Sequence, residues 1–230
     1  MRWIITICIA VVAGFSGAAA WDYAGLGPDR TREALLANPE ILPEAMQELQ
    51  RRDMLARIDP LRDELEAPFP GAVLGNPAGD ITLVEFTDYA CGYCRQSLDH
   101  VQQIVAANPD LKVVIREYPI LSPGSADAAR MALAAADQGR FEQFHNAMFA
   151  AENLSAENID QAARRSGVDL EQAKSAIEAG VYESQLQNNV FLAQNMGVSG
   201  TPAWVIGEQV LSGAVGPDTL DAAIDEARNL

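Results

Sequence analysis

Cys91 and Cys94 are the residues of this sequence best suited to chemistry. A C-x-x-C pair can exchange a disulfide, close a structural bridge or hold a soft metal, and its setting separates these. Here it lies between an apolar, β-branched run, Asp80 to Thr87, and an amphipathic stretch from Cys91 to about Ala107. The first reads as a buried strand and the second as a helix ended by Asn108-Pro109. Cys91 is thereby placed at a helix N-terminus, where free backbone N–H groups and the helix dipole favour negative charge. The thiolate is the nucleophile of disulfide exchange, so this is the place for an attacking cysteine. Cys94, one turn on, faces it and can resolve the mixed disulfide. A structural bridge over so short a loop would remove little chain entropy. Zinc would need four ligands, and His100 and His145 lack ligand-pair spacing, so each reads as a surface or packing residue. The pair therefore predicts thiol–disulfide exchange, with no metal and no cofactor.

A second motif, Gly200-Thr201-Pro202-Ala203, precedes a hairpin strand. Proline cannot donate to a ladder, so Pro202 belongs at a strand start. A trans peptide makes this an ordinary loop. A cis peptide leaves the Thr201 backbone free to pair with an extended client strand. Residue types alone leave both open.

Several elements must position these motifs. Lys112 to Tyr118 reads as a second strand, completing a βαβ unit with parallel strands and a right-handed crossover. Residues 123 to 197 read as one helical insert. Its helices are capped by Ser125, Ser155 and Asp169 and stopped at Gly139, Gly167, Gly180 and Gly197. Ala203 to Ile206 and Gln209 to Leu211 form a hairpin around Gly207-Glu208, and Asp218 to Arg228 is a closing helix behind Pro217. The fold class expected is α/β: a thioredoxin fold with an inserted helical domain, preceded by an N-terminal helical appendage.

The chain divides into residues 1–20, 21–70 and 71–230. Met1-Arg2, the apolar run Trp3 to Phe15 and Gly17-Ala18-Ala19-Ala20 read as a cleaved signal peptide. The apolar run is too short for a membrane anchor on this count, and removal of the signal takes Cys8 with it. Between 21 and 70, Leu42, Met46 and Leu49, then Met54, Ile58, Leu61 and Leu65, form apolar stripes at helical spacing. They suit a stalk that self-associates through residues 30–66, before a linker at Ala67 to Gly71. A formal net charge of −16 over 230 residues argues against nucleic acid, and 49% hydrophobic residues suffice for a core.

Val84-Glu85-Phe86-Thr87-Asp88-Tyr89-Ala90-Cys91-Gly92-Tyr93-Cys94, Phe144-His145 and Gly197 to Ala203 resemble the DsbA family of bacterial thiol–disulfide oxidoreductases. The resemblance spans roughly residues 72 to 228. It implies that Cys91 is the exposed attacking thiolate, Cys94 its buried partner, and Thr201-Pro202 cis and packed against the disulfide. It also implies that Glu85 is a buried acid relaying protons at Cys94, and that Thr201, Pro202, Gly92 and Tyr93 meet the client. Two departures favour an isomerase or reductase over a dithiol oxidase of the DsbA type. The dipeptide is Gly-Tyr rather than Pro-His, which removes a histidine that would stabilise the thiolate. The residue before Pro202 is Thr, as in the isomerases DsbC and DsbG. Asn38-Pro39-Glu40-Ile41-Leu42 and the helix after it resemble the stalk of ScsC-like members, where that region can mediate oligomerisation. The implied partners are unfolded or misfolded cysteine-containing secreted proteins and a membrane redox partner, DsbD/ScsB-like or DsbB-like. The implied location is the periplasm. Rivals from other classes are a Cu(I)-binding protein, for which no Met-x-x-Met cluster exists, and a holdase-like chaperone.

Overall fold

The computed structural model describes residues 2–23 and 28–229, and the side chain of Cys8 lies outside what it describes. Two compact units divide the chain, Met1–Arg52 and Asp53–Leu230.

The second unit is built on two strands that are buried on both faces, β2 (Ile81–Thr87) and β3 (Leu111–Glu117). They run parallel, in register from Ile81 beside Leu111 to Thr87 beside Glu117, joined by helix α5 (Gly92–Ala107). Strand β4 (Ala203–Ile206) pairs antiparallel to β2, and β5 (Gln209–Ser212) to β4. A three-residue strand, β1 (Val73–Gly75), lies antiparallel on the outer edge of β3. The sheet order is β1-β3-β2-β4-β5. Strand β1 was not foreseen, because three residues show no alternation and only pairing with β3 makes them a strand.

Strand alternation sorts two cores. Leu83, Val113, Ile115, Trp204 and Ile206 face α5 and the helical insert. Val84, Phe86, Val114 and Val205 face the other way, against Ile58, Leu65, Leu192 and Met196. The insert comprises α6 (Pro123–Asp137), α7 (Phe141–Phe149), α8 (Ala156–Arg165), α9 (Leu170–Glu178) and α10 (Glu183–Asn195). Helix α6 is capped by Ser122 rather than Ser125. Ser125 is its reciprocal partner one turn in, and Pro123 takes the first helical position, where no N–H is needed. The last helix, α11 (Pro217–Ala227), likewise includes Pro217 as its opening residue.

The apolar stripes of residues 42 to 65 do not act as one. Leu42, Met46 and Leu49 are exposed, whereas Ile58 and Leu65 are fully buried in the core of the second unit, with Met54 and Leu61 against them. Residues from Asp53 therefore pack with the sheet, through the end of α3 (Ile41–Ile58), a 3₁₀ turn (Asp59–Leu61) and α4 (Arg62–Glu66). Arg116, buried on β3, fastens the segment: its Nη2 donates to the carbonyls of Glu64, of Leu65 at 3.0 Å and of Ala67 at 2.6 Å. Ile58→Ala is expected to destabilise the second unit by about 2–5 kcal/mol, as buried aliphatic truncations do, and Leu49→Ala by less than about 0.5 kcal/mol. Urea unfolding followed at Trp204 checks both. Equal effects would mean that residues 53–66 do not belong to this core.

In the first unit, helix α1 (Arg2–Tyr23) exposes its large apolar side chains. Its segment Trp3–Trp21, 19 residues, is long and apolar enough to cross a membrane, about 28 Å at 1.5 Å per residue. The expectation that the apolar run is too short does not hold, because small residues carry the same helix past Phe15 to Trp21. This helix fits a signal or an anchor. Helix α2 (Pro28–Ala37) and the first part of α3 meet at Asn38-Pro39, where the Asn38 side chain donates to the Ala34 carbonyl at 3.1 Å.

Candidate functional site

The carboxyl end of β2 feeds a tight turn, Asp88-Tyr89-Ala90, that delivers Cys91 to the start of α5. Asp88 organises it. Its Oδ1 accepts from Ala90 N at 2.8 Å, its Oδ2 accepts from Ile120 N and Leu121 N at 2.8 and 2.9 Å, and its carbonyl accepts from Cys91 N at 2.9 Å. Cys91 is the N-cap of α5, with extended backbone (φ −82°, ψ 115°), and its Sγ accepts from Cys94 N at 3.4 Å. A sulfur in this place takes the hydrogen bond that an N-cap oxygen ordinarily takes. From the other side, Cys91 Sγ donates to the Thr201 carbonyl at 3.2 Å. The Thr201-Pro202 peptide is cis, so the alternative left open by the residue types is resolved.

Cys91 and Cys94 are free thiols, with 6% and 1% exposure. Cys91 is thus less open than the resemblance implied. Its sulfur turns inward, onto the helix amide and the Thr201 carbonyl, while Ala90, Gly92 and Tyr93 beside it are exposed. Tyr93 and Leu121 put 63% and 51% of their surfaces in solvent.

Behind the cysteines, Glu85 and Thr87 share the sheet face that carries α5, because they alternate with Val84 and Phe86 on the opposite face. Glu85 is 3% exposed, and its burial pushes its carboxyl up to about 8, with the Thr87 hydroxyl pulling the other way. Burial, and then the nearby Glu85 charge, push the Cys94 thiol well above its usual range. The Thr87 and Thr201 hydroxyls and the Asp88 backbone work against this. The reduced site therefore holds Cys94 as a thiol beside an acid that titrates near neutrality. Such a pair can pass a proton when the buried sulfur must become a nucleophile.

Residue types did not single out three further groups beneath the turn: Tyr89, Glu117 at the end of β3, and His145 on α7. His145, read as a surface or packing residue, is 1% exposed and hydrogen-bonded to the Tyr89 hydroxyl at 3.0 Å. The available signal was polarity out of place. Glu117 ends an apolar strand, and His145 shares the helix face of Phe141, Phe144, Met148 and Phe149.

Residues 82–225 match the DSBA-like thioredoxin domain, and residues 31–54 match the N-terminal domain of the copper resistance protein ScsC. A thioredoxin-like oxidoreductase from Silicibacter pomeroyi DSS-3 superposes with a TM-score of 0.70 at 40% identity, over 74% of this chain and 98% of that one. A linker-deletion mutant of Proteus mirabilis ScsC superposes with a TM-score of 0.67 at 27% identity, over 86% of this chain and 92% of that one. The Na(+)/H(+) antiporter NhaA 3 of Salinispora tropica is 27% identical over 89% of this chain, which spans only 29% of that protein's length.

Proposed function

The chain belongs to the DSBA-like thioredoxin family, and from that premise we propose that it is a thiol–disulfide oxidoreductase acting through Cys91 and Cys94 on secreted protein clients. The observation that carries this reading is the placement of Cys91 Sγ between the Cys94 amide and the Thr201 carbonyl. It joins a helix N-terminus that favours a thiolate to a backbone edge that can receive a client strand. In the reducing direction, Cys91 attacks a client disulfide: its sulfur bonds to one client sulfur, and the other leaves as a thiolate and takes up a proton. Glu85, in its ionised fraction, then accepts the Cys94 proton, and Cys94 attacks Cys91 Sγ, which releases the client sulfur as a thiolate that takes up a proton. The Cys91–Cys94 disulfide remains, two electrons having passed to the client. Thr201, Pro202, Gly92 and Tyr93 form the docking rim.

The isomerase or reductase direction is preferred, because Gly92-Tyr93 supplies no imidazole to stabilise the thiolate and Thr201 precedes the cis proline. That direction needs a membrane partner that returns electrons to the pair. The apolar helix α1 supports export to the periplasm, and the match at residues 31–54 supports a self-associating stalk. Leu36, Ile41, Leu42, Met46 and Leu49 are its exposed apolar residues. Several active sites facing one client would favour reshuffling, through effective concentration. Alkylation of Cys91 and Cys94 after acid quench, in the native compartment, tests the direction. A mostly reduced pair is expected, and a mostly oxidised pair would make the protein a dithiol oxidase. Sedimentation should show an oligomer, and a monomer at micromolar concentration would remove the stalk from this reading.

A further inference from the structure

Tyr89 sits two residues before Cys91, and its hydroxyl touches two other buried polar groups: Glu117 Oε1 at 2.9 Å and His145 Nδ1 at 3.0 Å. None of the three is more than 2% exposed. A phenol has one proton for two neighbours, so one neighbour must supply the second. Burial holds Glu117 far above the carboxylate range and drives His145 down to about 3. Both are then neutral. The phenol donates to Glu117 Oε1, neutral His145 donates its Nδ1 hydrogen to the phenol oxygen, and the three close into one chain.

Packing does not account for these residue types. The Tyr89 ring lies 4.8 Å from the Phe149 ring and 6.1 Å from the Phe144 ring, an apolar setting that phenylalanine would fill equally well. His145 occupies a core position of α7, where leucine would serve. Polar groups kept in an apolar pocket cost stability relative to apolar replacements of the same shape, so their use is to be sought elsewhere.

That use is geometric. The turn that Tyr89 anchors ends at Cys91, whose sulfur makes two contacts, 3.4 Å to the Cys94 amide and 3.2 Å to the Thr201 carbonyl. A shift of the turn by about an ångström would carry the sulfur out of one contact or the other. Asp88 holds the backbone on one side of Tyr89, and the phenol is the tether to β3 and to the insert. We infer that His145, acting with Glu117 through the Tyr89 hydroxyl, is a positioning residue that fixes Cys91 Sγ between the Cys94 amide and the Thr201 carbonyl. The helical insert thus reaches the nucleophile without touching the reacting sulfurs. The inference rests on the exchange reading of Cys91 and Cys94.

The test measures, in reduced full-length protein, the rate of Cys91 alkylation by iodoacetamide and the equilibrium with glutathione. Tyr89→Phe and His145→Leu are each expected to slow alkylation about tenfold and to shift the equilibrium, since misplacement by 1 Å costs up to about a hundredfold. The double variant should be no slower than either single, because one chain is broken. His145→Asn, which offers an amide N–H donor near the place of Nδ1, should recover most of the rate. Wild-type rates and equilibrium in folded Tyr89→Phe would overturn the inference, and so would additive losses in the double. If His145→Leu does not fold, Tyr89→Phe decides alone. If the wild-type protein reduces no disulfide in a test protein, the exchange reading falls, while the alkylation rates still decide the positioning role.

Discussion

Replacing Cys94 with alanine is expected to turn the protein into a trap that keeps clients as stable mixed disulfides on Cys91. The two sulfurs are not equivalent. Cys91 Sγ lies at the helix N-terminus beside the exposed Gly92 and Tyr93, whereas Cys94 is 1% exposed and held as a thiol by burial and by Glu85. A client disulfide can therefore meet Cys91 first, and among the described residues only Cys94 is near enough to release it. Without Cys94, release waits for an external thiol, and turnover should fall by about 10³-fold or more, as when one member of a jointly acting set is lost. Cys91→Ala should lose the same turnover and form no mixed disulfide. Non-reducing electrophoresis, with mass analysis of the adduct, separates the two. Equal trapping by both variants would mean that Cys94 also attacks clients, contrary to its burial.

The second large effect belongs to Glu85 and is double-edged. Its carboxyl ionises near 4.5 in an unfolded chain and at about 8 in the folded, reduced protein. The folded state thus binds the extra proton between these values, and stability falls as pH rises through that window. The full contribution is present below about pH 4.5 and gone above about pH 8. At pH 7 the shortfall is about 3 kcal/mol. Glu85→Gln keeps the shape without the charge. It should stabilise the reduced protein by about that amount at pH 7, by nothing at pH 4.5, and flatten the slope between. The same variant removes the acceptor for the Cys94 proton, so release of the mixed disulfide should slow by about 10²-fold. Urea midpoints across the pH range, in reductant, read the first effect, and single-turnover release reads the second. Identical stability from pH 4.5 to 8 would show that the folded protein does not hold Glu85 neutral. Stability unspent for function is a common trade at such sites.

Local signals made most of the framework legible in the sequence. The β-branched runs at 81–87 and 111–117, the caps Ser155 and Asp169 and the terminating glycines each act within a turn of chain. The helix-start position of Cys91 follows from the strand before it and the helix after it. Ser122 was missed for Ser125 because both residues of a capping box are serines, and only the direction of the first hydrogen bonds separates them.

What stayed hidden depends on residues far apart in the chain. Strand β1 exists through its pairing with β3, and Ile58 and Leu65 belong to the sheet because Arg116, 51 positions beyond Leu65, binds the carbonyls around it. The inward turn of Cys91 needs the Thr201 carbonyl, at a sequence separation of 110. Tyr89, Glu117 and His145 meet only because β2 and β3 align Thr87 with Glu117 and α7 packs beneath the turn. The sequence by itself determined the elements and the reactive pair, since propensity, capping and C-x-x-C spacing are short-range. Tertiary structure alone decided which polar groups lost their water and which neighbours they found, and those two facts set the acid beside Cys94 and the tether beneath Cys91.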